Sequence, residues 1–434
     1  MEEIKPLTLR RNFSWTFVGN AVYAACQWGM LIVLAKLGSP EMVGQFTLGL
    51  AVTAPVIMFT NLSLRNVQAT DAKHNYQFGD YLGLRLIAIT LGLLIIVGIT
   101  IASGYRLQTS LVILTIGLAK GFESISDVFY GLIQQHERMD RIAISMMIKG
   151  PLSLLLLAIG VYYTGSVLWG SVGLAVAWAI VLFNYDIRSG ALILKTSPWQ
   201  KCKQKSPKIF PNPLHPHWNL KTLVQLTWLA LPLGVVMMLI SLNSNIPRYF
   251  IESYLGEREL GIFAALAYLM VAGNMVIAAL GQSATPRLAK YYVTGNSTAF
   301  RTLLFKLVGL GLVLGTVGVF IAVVAGREIL TLLYKSEYAE QSDLFVWLMV
   351  AAGMGYISSF LGYGMTAARY FRVLIPLFAL VTGTSAIAGL WLIPKQGLSG
   401  AAIALILSAL VQLVLSLGVT YHVIYKLRRG SYET

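Results

Sequence analysis

The sequence predicts an all-α integral membrane protein of about twelve transmembrane helices in two six-helix lobes, with both termini cytoplasmic. Three observations carry that expectation. Only 12% of the 434 residues are charged and 56% are hydrophobic, whereas a soluble domain carries about 25% charged residues. Apolar runs of span length recur along the whole chain. The basic residues gather in alternate connections, as the positive-inside rule requires of a multi-pass protein.

Hydropathy places the spans near 13–35, 43–63, 81–103, 108–133, 141–163 and 168–188 in the first half. The second half follows with 221–246, 260–283, 302–325, 342–366, 371–393 and 398–425. Most connections are short and carry Gly, Pro or Ser, as helical hairpins do. Of the 33 Lys and Arg residues, 22 fall in segments that are inside if the N-terminus is cytoplasmic, and seven fall outside. The net charge of +15 is therefore mostly topological, with some attraction to anionic headgroups, and no nucleic-acid partner is implied. Arg10-Arg11 faintly echoes a twin-arginine signal, but no small-residue cleavage site follows, so it reads as a basic flank.

Residues 190–220 form the one long inner connection, basic and rich in proline, and read as a linker between lobes 1–189 and 221–434. Cys26 and Cys202 are placed too far apart in this plan to pair. His215, His217 and Cys202 lack a convincing ligand spacing, so no metal site is expected. No Gly-rich phosphate loop, nucleophile elbow or paired soluble carboxylates occur. The chain therefore reads as neither an enzyme nor an ATP-driven pump, and no cofactor is expected.

The two halves share a signature. LGSPEMVGQF at 37–46 and LGERELGIF at 255–263 both read L-G-x-x-E, then Gly, one residue and Phe. Tyr130-Gly131 and Tyr363-Gly364 end the fourth span of each half. Two matches in the same order argue for duplication. Six helices per copy keep both copies in one orientation, the parallel-repeat plan of several secondary transporters.

The fourth span contains AKGFESISDVFYG at 119–131. At 100° per residue, Lys120, Glu123, Asp127 and Gly131 share one face with Ser124 alongside, while Leu118, Phe122, Ile125, Phe129 and Leu132 oppose them. Each Lys or Asp at the bilayer centre costs ~2.5–3.5 kcal/mol, more in total than the apolar residues of this helix return. The charged face must meet other helices or a watery cavity. One reading is an internal salt bridge of Lys120 with Glu123, or with a partner elsewhere. The other is a polar cavity wall with Glu123 or Asp127 open to a coupling cation, H+ or Na+, and Lys120 as an anion ligand.

Arg85 and Lys149 enter their helices from the cytoplasmic side, where snorkelling competes with a binding role. Arg248 follows Asn243, Asn245 and Pro247 at a helix end, which reads either as a gate or anion contact or as an interface anchor. Gln27 and Asn274 are weaker polar candidates for a cavity.

RNFSWTFVGNAVYAACQWGMLIVLAKLGSPEMVGQFTLGLAVTAP at the start, with ISDVFYGLIQQHERM and LGERELGIFAALAYL later, resembles the polysaccharide transporter (Wzx-like oligosaccharide, or O-antigen, flippase) family. That family lies in the multidrug/oligosaccharidyl-lipid/polysaccharide (MOP) exporter superfamily. The resemblance implies a MATE-like fold in a bacterial inner membrane. It also implies a flippase that moves undecaprenyl-diphosphate-linked oligosaccharide outward by alternating access. Arg85, Lys120, Lys149 and Arg248 would then attract the diphosphate headgroup, and a polysaccharide polymerase and chain-length proteins become partners. A cation-coupled drug antiporter of the same superfamily is the alternative. Against it, no acidic residue lies between Phe13 and Leu34, where many such antiporters are similar in bearing a carboxylate. The peptidoglycan lipid II flippase is similar in fold but usually carries two further helices, and a scaffold role leaves the buried charges unexplained.

Overall fold

The computed structural model describes residues 7–71, 75–196, 214–368 and 370–430, and every regular element among them is helical. The first elements are α1 (Leu9–Leu37), α2 (Pro40–Thr60), α3 (Leu64–Thr70), α4 (Phe78–Ala102), α5 (Leu107–Gln135) and α6 (Met139–Thr164). Then α7 (Val167–Val181) continues through a π-helical segment, Leu182–Asp186, into α8 (Ile187–Thr196). The later elements are α9 (Leu220–Leu255), α10 (Glu257–Tyr268), α11 (Met270–Val293), α12 (Ser297–Leu333), α13 (Ser336–Ala339), α14 (Ser342–Ala367) and α15 (Phe371–Gly430).

Ten stretches of described helix are long and apolar enough to cross a membrane, which makes this a multi-pass membrane protein. Helix α5 is not among the ten, because its charges and the polar residues around them lower its hydropathy. The last stretch is counted once, yet α15 breaks at Gly397, whose φ of 60° leaves the helical region. Most of the predicted linker, residues 197–213 with Cys202, lies outside the described residues, as does Arg369. Its end is described: the His217 amide donates to the Gly79 carbonyl at 2.8 Å, and the His217 ring meets Asp80 at 3.0 Å. Among the described residues no cluster of His, Cys, Asp and Glu has a metal-holding arrangement.

Contacts divide the chain into two units. The first comprises Met1–Gly38 with Gln45–Met238, the second Ser39–Gly44 with Leu239–Thr434. In the first unit, α6 packs extensively on α1 and α7. Small residues permit the approach: a Cβ at Gly19 would sit 2.7 Å from the Ala143 Cα. One apolar cluster of this unit joins Leu64, Tyr81, Phe129, Ile133, Leu182 and Leu226.

In the second unit, α14 is the hub, packed against α11, α12 and α15. The two copies of the L-G-x-x-E signature meet there, because Ser39–Gly44 groups with this unit. Gly44 lies against the Glu257 carbonyl and Gly261 against the Pro40 carbonyl, too close in each case for a side chain. The glycine shared by the two copies is thus a reciprocal packing requirement, with one copy's glycine resting on the other's backbone.

Candidate functional site

Helix α5 positions the site. Its apolar residues bury against the rest of the first unit, with Val112, Ile113, Ile116 and Val128 fully enclosed. The face carrying Lys120, Glu123 and Asp127 keeps partial exposure, between 23% and 31% for the three side chains. Its charges are held in three ion pairs and joined to a fourth.

Lys120 Nζ lies 2.7 Å from Glu123 Oε2, the i,i+3 pair that the spacing allows. The Tyr23 hydroxyl from α1 donates to the other carboxylate oxygen at 2.8 Å. Lys120 also stands 4.9 Å from the ring centroid of buried Trp178 on α7, a cation–π contact. Trp178 in turn donates to Ser153, whose hydroxyl donates to the Lys149 carbonyl.

One turn further, Asp127 sits between two arginines: Arg85 Nη2 at 3.2 Å and Arg65 Nη1 at 3.6 Å. Arg85 is completely enclosed and also donates to the Asn61 side chain. Arg65 donates to Gln134 Oε1 at 2.9 Å and lies 5.5 Å from the Tyr130 ring centroid. Lys149 lies 5.2 Å from the same centroid. Tyr130 therefore links the Asp127 pairs to a fourth pair, Lys149 with Asp186 at 3.7 Å.

This fourth pair is sealed, both side chains being 2% exposed or less. Lys149 donates to the Tyr130 hydroxyl at 3.1 Å, and Ser145 donates to Asp186 Oδ1 at 2.5 Å. Asp186 is presented by the π-helical segment, the single-turn irregularity that recurs at functional positions in helices. Four cations (Arg65, Arg85, Lys120, Lys149) thus face three carboxylates (Glu123, Asp127, Asp186), leaving one positive charge in excess. Partly open to solvent and otherwise walled by protein, such a cluster suits an anion better than a cation.

The sequence candidates divide accordingly. Arg85, Lys120, Lys149, Glu123 and Asp127 come together in the first unit. Arg85 and Lys149 are enclosed and paired, so they do not snorkel: each finds a carboxylate on another element. Gln27 is also in this unit, with its amide nitrogen buried and unpaired. Arg248, Asn243, Asn245 and Asn274 belong to the second unit. Arg248 Nη1 donates to Asn245 Oδ1 at 3.0 Å, while its Nε and Asn243 Oδ1 are buried without partners. Arg248 forms no salt bridge among the described residues. Asn274 is exposed.

Sequence reasoning missed Arg65, Asn61, Tyr23, Tyr130, Trp178 and Asp186. Arg65 counts as an ordinary loop cation by position, and Asp186 lies near a predicted span end. Only the surplus of unpaired charge on α5 signalled that such partners had to exist.

The sequence profile of a family described as polysaccharide biosynthesis protein matches residues 9–292. The capsular polysaccharide biosynthesis protein CapF of Staphylococcus aureus is 31% identical over 422 residues, covering 96% of this chain and 99% of that protein. Among solved structures, the inward-facing form of a MATE-family multidrug resistance transporter of the MOP superfamily superposes with a TM-score of 0.69. It is 14% identical, with 95% of this chain and 99% of that one covered. The inward closed conformation of the lipid II flippase MurJ gives a TM-score of 0.66 at 12% identity, covering 97% and 90%. At these identities the two structures establish a MATE-like fold and nothing finer.

Proposed function

Since the chain belongs to the polysaccharide biosynthesis protein family, we propose that it is a flippase for undecaprenyl-diphosphate-linked oligosaccharide. It carries a capsule-type, O-antigen-type or exopolysaccharide repeat unit from the inner to the outer leaflet by exposing one polar site alternately to the two sides. The observation that carries this reading is the cation-rich cluster gathered around α5, a partly open polar site inside an otherwise apolar membrane protein. A diphosphate bears two negative charges and offers acceptor oxygens to Arg and Lys, while the polyprenyl tail is already at home in lipid. The relative CapF carries capsular polysaccharide biosynthesis in its name, and MurJ carries lipid II flipping in its own; both agree with a lipid-linked glycan as cargo.

In this reading Lys120, Arg85, Lys149 and Arg248 contact the headgroup. Glu123 and Asp127 hold those cations between turnovers or carry a coupling H+ or Na+. Gln27, Asn243, Asn245 and Asn274 offer uncharged contacts to sugar. The chain crosses the bacterial inner membrane twelve times with both termini cytoplasmic, α5 supplying one crossing and the break at Gly397 dividing α15 into two. Its partners are lipids, the lipid-linked oligosaccharide, and a polysaccharide polymerase with chain-length proteins. No bond is made or broken, so no cofactor is needed.

The test is complementation in a strain lacking the gene, reading surface glycan and protein level together. Lys120→Ala and Arg248→Ala should reduce surface glycan several-fold while protein level stays near wild type. Full export by both variants overturns the headgroup role. The alternative, a cation-coupled drug antiporter, predicts instead that deletion changes drug susceptibility and leaves surface glycan intact.

A further inference from the structure

Asp186 is a carboxylate that the headgroup reading does not use, and its surroundings are unusual. It is wholly enclosed, and it sits on the π-helical segment between α7 and α8. Oδ1 accepts from Ser145, but among the described residues Oδ2 has no hydrogen-bond donor and faces Lys149 Nζ at 3.7 Å, beyond hydrogen-bonding distance. Lys149 lies closer to the Tyr130 hydroxyl, at 3.1 Å, than to its counter-ion. The polar and titratable groups acting on Asp186 include Lys149 and Ser145 on α6, Ser126 and Tyr130 on α5, and Tyr185 beside it on its own segment. Glu123 is the other carboxylate acting on Lys149. One lysine is thus the main compensation for a buried carboxylate.

Such an arrangement stays charged only while the lysine stays. A buried carboxylate that loses its cation is far costlier than a protonated one. An anion drawing Lys149 toward itself therefore forces Asp186 to accept a proton. We infer that Asp186 is a proton-accepting site linked to headgroup binding: when a diphosphate engages Lys149, Asp186 Oδ2 takes one proton from solvent. This inference rests on the headgroup reading above and specifies how the site responds. Ser145 stays as the donor to Oδ1 throughout, and Tyr130, in contact with both, joins partly exposed Arg65 to sealed Lys149.

Linkage fixes the sign. If binding takes up a proton, affinity for the anion rises as pH falls. The probe is a short-chain prenyl-diphosphate-linked N-acetylglucosamine, whose diester phosphates hold the same charge throughout. Titration calorimetry of the purified full chain in buffers of different ionisation enthalpy counts the protons exchanged. Wild type should take up about one proton per ligand near neutral pH, Asp186→Asn almost none while still binding, and Asp186→Glu should restore the uptake. Saturable wild-type binding without proton uptake overturns the inference and leaves the headgroup reading standing, as does undiminished uptake in Asp186→Asn. Absence of saturable binding in wild type overturns both. Should Asp186→Asn not fold, the wild-type pH series decides alone: affinity must rise about tenfold per unit of falling pH within the exchange window, and a flat profile refutes the linkage.

Discussion

The repeat in the sequence pairs helix α5 with α14, yet the two helices are built differently. Aligning Tyr130-Gly131 with Tyr363-Gly364 sets Gly353, Tyr356 and Phe360 against Lys120, Glu123 and Asp127. Where α5 has Lys120 beside Trp178, α14 has Gly353 backbone to backbone with α12: a Cβ at Gly315 would lie 2.7 Å from the Gly353 Cα. Where α5 has Glu123, α14 has Tyr356, largely enclosed and donating to the Met270 carbonyl at 3.0 Å. Where α5 has Asp127 between two arginines, α14 has Phe360, fully buried and facing Gly311. Membrane helices associate through close packing and satisfied polar groups rather than hydrophobic force. Along α14 the second unit relies mainly on the first means, whereas α5 adds ion pairs, so of these two helices α5 is the one carrying charge that a ligand can reorganise.

The sharpest way to break that comparison is to write one half's residue into the other. Gly353→Lys should destabilise the protein by roughly 4–6 kcal/mol, from overpacking against α12 together with an unpaired cation at membrane depth. Loss of the folded species in fluorescence-detected size exclusion would register it. A folded Gly353→Lys protein would show that α14 tolerates what α5 carries, and the asymmetry would lose its packing explanation.

Next in size is the Asp127 pair. Asp127→Ala leaves Arg85 fully enclosed without its counter-ion, a change that costs about 3–5 kcal/mol. Adding Arg85→Met removes the stranded charge and should recover most of that loss in thermal midpoint, while surface glycan stays low. Recovery of export along with stability would mean that these two residues only hold the bundle together.

How much of this was legible beforehand follows from where the charges lie. Lys120, Glu123 and Asp127 stand out because they interrupt an apolar run, and helical periodicity puts them on one face with no neighbour consulted. Arg85 and Lys149 stand out for the same reason. Their partners do not: Asp127 is 42 residues from Arg85, and Asp186 lies near a helix end where a carboxylate is ordinary. Arg65 sits in what hydropathy reads as a loop, and only the tight turn at Leu62 and Ser63, both at positive φ, brings α3 back against α5. The helices themselves were legible because lipid demands long apolar runs with internally satisfied backbones. Pairing across helices is set by packing geometry, which no local pattern encodes. The break at Gly397 was legible as well, falling in the gap between the spans read at 371–393 and 398–425, whereas no local pattern announced the π-helical segment.

The smallest stability effects separate the two halves best. Lys120 and Glu123 are partly exposed, so breaking their pair by Lys120→Met should cost only about 0.5–1 kcal/mol. Arg248 makes one side-chain hydrogen bond, to Asn245, and keeps its Nε buried and unpaired. Removing a cation held so loosely relieves a desolvation penalty while losing one bond, so Arg248→Gln should shift stability by less than about 1 kcal/mol in either direction. If both residues meet a diphosphate, each variant pairs near-normal stability with reduced export, and the double variant falls below either single one. If Lys120 is purely structural, its variant loses stability without losing export while Arg248→Gln still impairs transport. The contrast between the halves would then invert, with Arg248 of the second unit taking the anion and the paired charges of the first serving as scaffold.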